Sequence, residues 1–466
     1  MGHLLQFIYL LGDGKFMWPE NLDWHQFDLH KGRRSRDSIY LLLWRDFNGG
    51  RALDKVTASL GEDDREVLEK LRSQGEAWIV GGWVREFLSG SDPKELDIAT
   101  NLEPDLVKSI FPNSIMVGEK YGTVRVRLDD ESRSGKIWEV TTLRVDGGYG
   151  DGRRPDNVEF GDSIHVDLSR RDFTINSMAI GSNGEIIDPH GGKLDLESGI
   201  IRCVGDPAER LGEDGLRIIR AFRFLEMGEN GLRDLDLELS RAISVNLHML
   251  ERISKERIWS EMKMILSKPN SGKIVRLMHE HEVIEELLPG VSLNLDADLC
   301  LDYSVNLAII CSLDNRNGEE LSNVLSENLR LSRAESDTVS FLHGLRIHDL
   351  DPSMSSVRRF RAALPGYRHS QVFGYLRGIG KETSEFEESL AKVPSFKAGT
   401  APLVDGNTLS EKTGLEPGRR LGRLKAWLHR KQIEEDLAGI EEVIPLIDSL
   451  NWKDSDYEEW PILSWP

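Results

Sequence analysis

Residues Ala77–Thr100 read AWIVGGWVREFLSGSDPKELDIAT. The apolar run Trp78–Val80 predicts a strand, Gly81-Gly82 a tight turn, and the next residues a short amphipathic helix. A second strand carrying Glu95-Leu96-Asp97 is expected after it. Residues two apart on a strand project to one face, so both carboxylates should point the same way. Two such carboxylates repel unless a cation sits between them. Mg²⁺ suits that place, because it prefers oxygen ligands and shares its shell with phosphates. The two glycines let backbone N–H groups approach a phosphate closely, and Arg85, one turn into the helix, can meet the same anion. Singly, Gly-Gly is more often a plain turn and Glu-x-Asp a solvated strand edge. The combination is much less common by chance.

Downstream, alternation predicts two further strands, Tyr121–Leu128 (YGTVRVRL) and Lys136–Val145 (KIWEVTTLRV), joined as a hairpin. Glu139 lies in the second. If that strand runs beside the Asp97 strand, Glu139 adds a third carboxylate to the same face; alone it would read as a surface residue. Asp146–Phe160 is rich in Gly, Asp and Arg and reads as a mobile loop. Asp167–Ala179 follows as DLSRRDFTINSMA.

GGWVRE, KELDIAT, EVTTLR and RRDFTIN together resemble the class II nucleotidyltransferases, the family of tRNA CCA-adding enzymes and bacterial poly(A) polymerases. The family pattern has Asp-x-Asp where this chain has Glu95-x-Asp97; Glu still offers metal-binding oxygens on a longer arm. The resemblance implies that Glu95, Asp97 and Glu139 are the catalytic, Mg²⁺-binding carboxylates. It assigns Gly82, Arg85 and Arg171 to the phosphates, and Asp172 and Asn176 to the ribose or to bracing the site. Arg170 reads as structural. Pro207–Leu225 (PAERLGEDGLRIIRAFRFL) predicts one Arg-rich helix. On it Asp214 and Arg217, i and i+3, would be neighbours. By composition this is an ion-paired surface; by resemblance Asp214 and Arg217 read the base, and Arg220 and Arg223 also match.

The implied fold is an α/β nucleotidyltransferase head with a mixed sheet, followed by an all-α neck, body and tail. The expected divisions are 1–74 (an extension given no chemistry), 75–206 (head), 207–272 (neck with the base-recognition helix), 273–400 (body) and 401–466 (RNA-binding tail). The implied reaction is metal-dependent addition of CCA to tRNA 3′ ends from CTP and ATP. The acidic, Trp-rich NWKDSDYEEWPILSWP, where poly(A) polymerases of the group often carry a basic arm, tilts the choice toward CCA addition. Poly(A) addition, CC-only or A-only addition, and an inactive RNA-binding homologue stay open.

Composition sets the remaining bounds. At 466 residues several domains are expected. The net charge of −20, from 59 basic and 79 acidic residues, argues against a generic nucleic-acid binder. The arginines are clustered, however, at Arg153-Arg154, Arg170-Arg171, Arg217/Arg220/Arg223, Arg358-Arg359-Arg361 and Arg419-Arg420-Arg423, and local field outweighs the sum. No apolar run reaches the roughly 20 residues of a membrane span. Leu4–Leu11 has no basic lead, so no secretory signal is expected. Cys203, Cys300 and Cys311 lack metal-site spacing and read as reduced thiols of a cytoplasmic protein. No protein partner is evident.

Overall fold

The computed structural model describes residues 53–117, 122–128, 135–146 and 158–466. The sequence readings on 1–52, and on the loop at 147–157 with Arg153-Arg154, lie outside the described residues. The chain forms two compact units: 1–58 with 183–185, and 59–182 with 186–466. In the first, residues 53–58 are helical. The rest of this description concerns the second.

Helix α1 (Glu62–Arg72) buries Val67, Leu68 and Leu71 on one face. Then come β1 (Ala77–Val80), α2 (Gly82–Leu88), β2 (Asp97–Thr100), α3 (Pro104–Ile110), β3 (Ile115–Val117), β4 (Thr123–Val126) and β5 (Trp138–Thr142). After β6 (Arg144–Asp146) and β7 (Val158–Phe160), α4 (Ile164–Ser169) leads to β8 (Ala179–Ile180) and β9 (Ile186–Ile187). Seven of these strands form one sheet, in the order β3-β4-β5-β2-β1-β8-β9. Among the described residues, β2 and β5 run parallel and the other neighbouring pairs antiparallel. The sheet is therefore mixed. β1 is buried along its whole length, as its unbroken apolar run requires. Trp78, Val80, Ala99 and Ala179 pack with Ile164 and Leu168 of α4 and with Leu143.

The predicted hairpin is the β4–β5 pair, and β5 lies directly beside β2. The second carboxylate strand starts later than expected. Ser91–Leu96 is irregular, β2 begins at Asp97, and Glu95 is an exposed residue of the approach. Regular strand geometry therefore covers Asp97 and not Glu95. Pro93 in the approach disfavours regular pairing just upstream.

α5 (Gly192–Ser198) and β10 (Ile200–Ile201) close this part of the unit. The expected single helix over Pro207–Leu225 is two helices, α6 (Pro207–Glu213) and α7 (Leu216–Arg223). Asp214 between them is extended, at φ −151° and ψ 105°. Just after it the chain packs tightly: a Cβ on Gly215 would lie 2.6 Å from the carbonyl oxygen of Met249. β11 (Asp234–Leu235) pairs in parallel with β10, and α8 (Leu237–Asn246) and α9 (Lys255–Leu266) follow. From Ser271 onward the described elements are helical. Residues 404–460 hold a core of their own, with Leu421, Leu424, Leu428, Trp452 and Trp460. No helix among the described residues is long and apolar enough to cross a membrane.

Candidate active site

The site is built where the C-terminal end of β1 meets the start of β2. Asp97 stands opposite Val80 on β1 and opposite Glu139 on β5. The parallel register thus sets the two carboxylate-bearing residues side by side. Gly81 leaves β1 at φ +71° and ψ −135°, a conformation that suits glycine. A Cβ there would lie 3.0 Å from Asp97 Oδ2 and 3.6 Å from Arg171 Nη1. Gly81, Asp97 and Arg171 therefore converge. Sequence reasoning chose Gly82; it is the first residue of α2 and has no such constraint. The glycine that the geometry requires is its neighbour.

Burial pushes the Asp97 carboxyl up, Glu139 and Glu95 push it further, and Arg171 and Arg85 only partly oppose them; it reaches about 6. Glu95 thus acts on Asp97 through space despite lying outside the strand. Glu139 is exposed and accepts from Arg125 Nε at 2.9 Å. Among the described residues no three metal-ligating side chains are already gathered. The charge on Asp97 is nevertheless under-compensated, and its donors are carboxylate oxygens. That chemistry fits a hard divalent cation such as Mg²⁺.

The residues of the 167–179 segment mostly brace one another. Buried Asp167 accepts from Arg170 Nε at 2.9 Å and from Arg171 Nη2 at 3.1 Å. Arg171 also donates to the Asn176 carbonyl at 3.4 Å. Asp172 accepts from the Phe173 N–H at 2.8 Å, from Asn176 Nδ2 at 3.2 Å, and from Arg220 Nε at 2.8 Å and Nη2 at 2.5 Å. Burial alone would raise its pKa; the Arg220 charge and these bonds overcome that and bring it down to about 2. Asn176 Oδ1 accepts in turn from Arg85. A polar chain therefore runs Arg85–Asn176–Asp172–Arg220. It continues to buried Glu261 of α9, which pairs with Arg220 at 3.5 Å and Arg223 at 2.9 Å.

The proposed base-reading pair is arranged differently from the helix-face prediction. Because the helix breaks at Asp214, its carboxylate turns to Arg257 of α9, at 2.7 Å. Buried Arg217 pairs with Glu213 and donates to the carbonyls of Arg210 (2.8 Å) and Arg170 (3.3 Å). In the sequence Arg257 and Glu261 stand only as part of an ER…E arrangement similar to the family's neck, with no site role, and Phe224 is not singled out. The first two lie in ISKERIWSEM; the signal was two charged residues four apart on one helix face, Arg257 and Glu261. The later arginine clusters are largely engaged within the fold. Arg358 donates to the Glu434 carbonyl, Arg361 to the Val393 carbonyl, Arg420 to the Trp452 carbonyl and Arg423 to the Glu458 carbonyl.

The position of Gly81 gives a direct contrast. Gly81→Ala would occupy a strained backbone conformation and crowd Asp97. A misplacement of that order costs about 10²-fold in rate, so turnover should fall by that factor. Gly82→Ala, whose Cβ would lie 3.5 Å from Arg85 Nη2, should stay within a few-fold of wild type. Equal turnover of the two variants under single-turnover conditions would remove Gly81 from the site.

Comparison with known proteins places this geometry. Residues 77–202 match the family described as "Poly A polymerase head domain", and residues 234–294 match "Probable RNA and SrmB- binding site of polymerase A". The chain is 32% identical over 386 residues to the CCA-adding enzyme of Ligilactobacillus salivarius, covering 81% of this chain and 93% of that one. It is 41% identical over 228 residues to that of Geobacillus thermodenitrificans, covering 48% and 54%. The crystal structure of the Bacillus stearothermophilus CCA-adding enzyme in complex with CTP superposes with a TM-score of 0.68 at 26% identity, over 82% of this chain and 96% of that one. The chain belongs to the class II nucleotidyltransferases, among the CCA-adding enzymes.

Proposed function

We propose that this protein is a tRNA nucleotidyltransferase that adds C, C and A to tRNA 3′ ends from CTP and ATP. The observation that carries this reading is Asp97 opposite Glu139 across the β2–β5 pair, with Arg171 and Gly81 against it. The RNA 3′ oxygen attacks the α-phosphorus, the bond to the bridging oxygen breaks, and pyrophosphate leaves. Positioning and charge neutralisation dominate such chemistry. Mg²⁺ held by Asp97 and Glu139, with Glu95 beside them, would supply the acidification of the hydroxyl and the screening of the triphosphate. Arg85 and Arg171 bind phosphate oxygens. Asn176, Asp172 and Asp167 hold those arginines in place, so little reordering is needed when nucleotide arrives. The protein works in the cytoplasm, and the division into head, neck, body and tail at 75–206, 207–272, 273–400 and 401–466 belongs to the same reading.

The test is incubation of purified protein with tRNA lacking its 3′ end, Mg²⁺ and each labelled NTP, alone and together, with the products sequenced. C, C and A should be added in order, with UTP and GTP poor substrates. Long A-tails without use of CTP would reassign the protein to poly(A) addition.

Base choice follows from hydrogen-bond inventory. Cytosine and adenine each offer an exocyclic amino donor beside a ring-nitrogen acceptor; uracil and guanine reverse this. A carboxylate only accepts and a guanidinium only donates, so Asp214 and Arg217 fit C and A. Arg257 orients the Asp214 carboxylate, and Glu213 the Arg217 guanidinium. An unmet buried hydrogen bond costs about 1–3 kcal/mol. Asp214→Ala should therefore reduce discrimination against UTP and GTP by roughly 5- to 150-fold, with a smaller loss of triphosphate affinity. Unchanged exclusion of UTP and GTP would show that this carboxylate does not read the base.

A further inference from the structure

One ring lies among three cations. The guanidinium carbons of Arg223, Arg85 and Arg220 lie 4.3, 5.0 and 5.2 Å from the centroid of the Phe224 ring. Arg85 comes from α2, whereas Arg220 and Arg223 come from α7. Phe224 follows α7 directly, and its N–H bonds to the Arg220 carbonyl. The fully buried Phe173, next to Asp172, meets the ring edge-on at 5.8 Å and 74°. The ring is thus held between the segment that carries Asp172 and the helix that carries Arg220.

Charge balance gives this arrangement its consequence. Arg85, Arg220 and Arg223 bring three positive charges to one place. Asp172, Glu261 and Glu86 return three: Asp172 to Arg220, Glu261 to Arg220 and Arg223, and partly exposed Glu86 to Arg85 at 3.4 Å. Like charges this close repel, and the Phe224 ring is a partner that all three guanidinium groups share. The negative face of an aromatic ring attracts guanidinium groups and keeps none of their hydrogen-bonding edges from an anion. We infer that Phe224 is a positioning residue for the triphosphate: its ring fixes the spacing of Arg85 from Arg220 and Arg223, so that Arg85 is already in place when the nucleotide arrives. This rests on the reading that Arg85 binds the phosphates of CTP and ATP.

The role separates from plain packing because it depends on the electrons of the ring and not on its bulk. In the full-length protein, Phe224→Leu should weaken CTP and ATP binding alike, by about tenfold, seen as a raised KM and a raised calorimetric Kd. The kcat at saturating nucleotide should stay within about threefold, since the reacting groups at Asp97 are untouched. Phe224→Tyr, which keeps the ring, should restore affinity to within about twofold of wild type. Replacement of Phe224 by monofluoro- and then trifluorophenylalanine keeps the shape while draining the ring face, and covers the case in which Phe224→Leu fails to fold. Affinity should then fall stepwise with fluorine content at a constant melting temperature. Flat affinity across the fluorinated series, or a tyrosine variant as weak as the leucine one, would overturn the inference. Failure of the wild-type protein to bind either nucleotide would instead remove the functional reading beneath it.

Discussion

Asp97→Asn is expected to abolish nucleotide addition and, at the same time, to make the protein more stable. The amide keeps the shape of the carboxylate but loses the charge that the reaction uses. Loss of one preorganised stabilising group costs about 10²–10³ in kcat, and Asp97 is assigned to the metal as well, so the fall should be at the upper end or beyond. The stability gain follows from its pKa. Burial, Glu139 and Glu95 raise that carboxyl from 3.8 to about 6. A raised acid binds protons more tightly folded than unfolded, so folding stability is lost as pH rises from about 4 through 6. Near neutral pH the ionised Asp97 therefore costs on the order of 3 kcal/mol. Asn removes that cost. Without divalent ions, the melting temperature of Asp97→Asn should exceed that of wild type at pH 7.5, and the gap should close toward pH 4. Added Mg²⁺ should raise the melting temperature of wild type and leave the variant nearly unmoved. A variant that melts below wild type at pH 7.5, or one that retains turnover, would contradict the assignment of Asp97.

That pairing of lost activity with gained stability is typical of sites held against their own electrostatics. It also explains why Glu95 and Asp97 differ. Asp97 opens β2, paired on both sides by β1 and β5, and has no freedom to avoid Glu139. Glu95 sits in an exposed approach and acts on the site only through space. Glu95→Ala should therefore lower turnover less than Asp97→Asn does.

The sequence patterns that rest on near neighbours were legible. β1, β4 and β5 followed from an apolar run and from alternation, and the head's identity followed from the 77–100 and 167–179 motifs. Two local readings failed for visible reasons. Strand periodicity was extended back over Glu95, although Pro93 stands just upstream. Helix periodicity was carried through Asp214-Gly215, where an extended Asp214 separates α6 from α7. What no local pattern reveals is which distant residue answers each charge. Asp214 is 43 residues from Arg257, and Asp172 is 48 from Arg220. Those pairs decide whether an arginine faces solvent, a nucleotide or the protein interior. The arginines near 358 and 420 looked like an RNA surface in sequence, yet several of their guanidinium groups hold backbone carbonyls of other segments.

The Asp172–Arg220 pair is the most consequential of these long-range bonds for stability. Asp172 is buried, and Arg220 sits between it and Glu261. Removing one member of a buried pair leaves the other uncompensated, at about 3–5 kcal/mol. Asp172→Ala should lose stability of that order. It should also lose nucleotide affinity, because Asn176 and Arg220 both lose a partner and Arg85 is held by Asn176. Asp172→Asn keeps an acceptor for the Phe173 N–H and isolates the charge. The folded pKa of about 2 lies below the ordinary 3.8. A depressed acid contributes stability that is fully present above about pH 4 and is lost as pH falls through about 2, here roughly 2 kcal/mol. Urea unfolding of wild type and Asp172→Asn should therefore differ by a constant amount from pH 7 down to about 4, and the difference should shrink below that. A gap independent of pH down to 2.5 would mean that the Asp172 charge does not hold Arg220, and that the head and the α7 arginines are joined by packing alone.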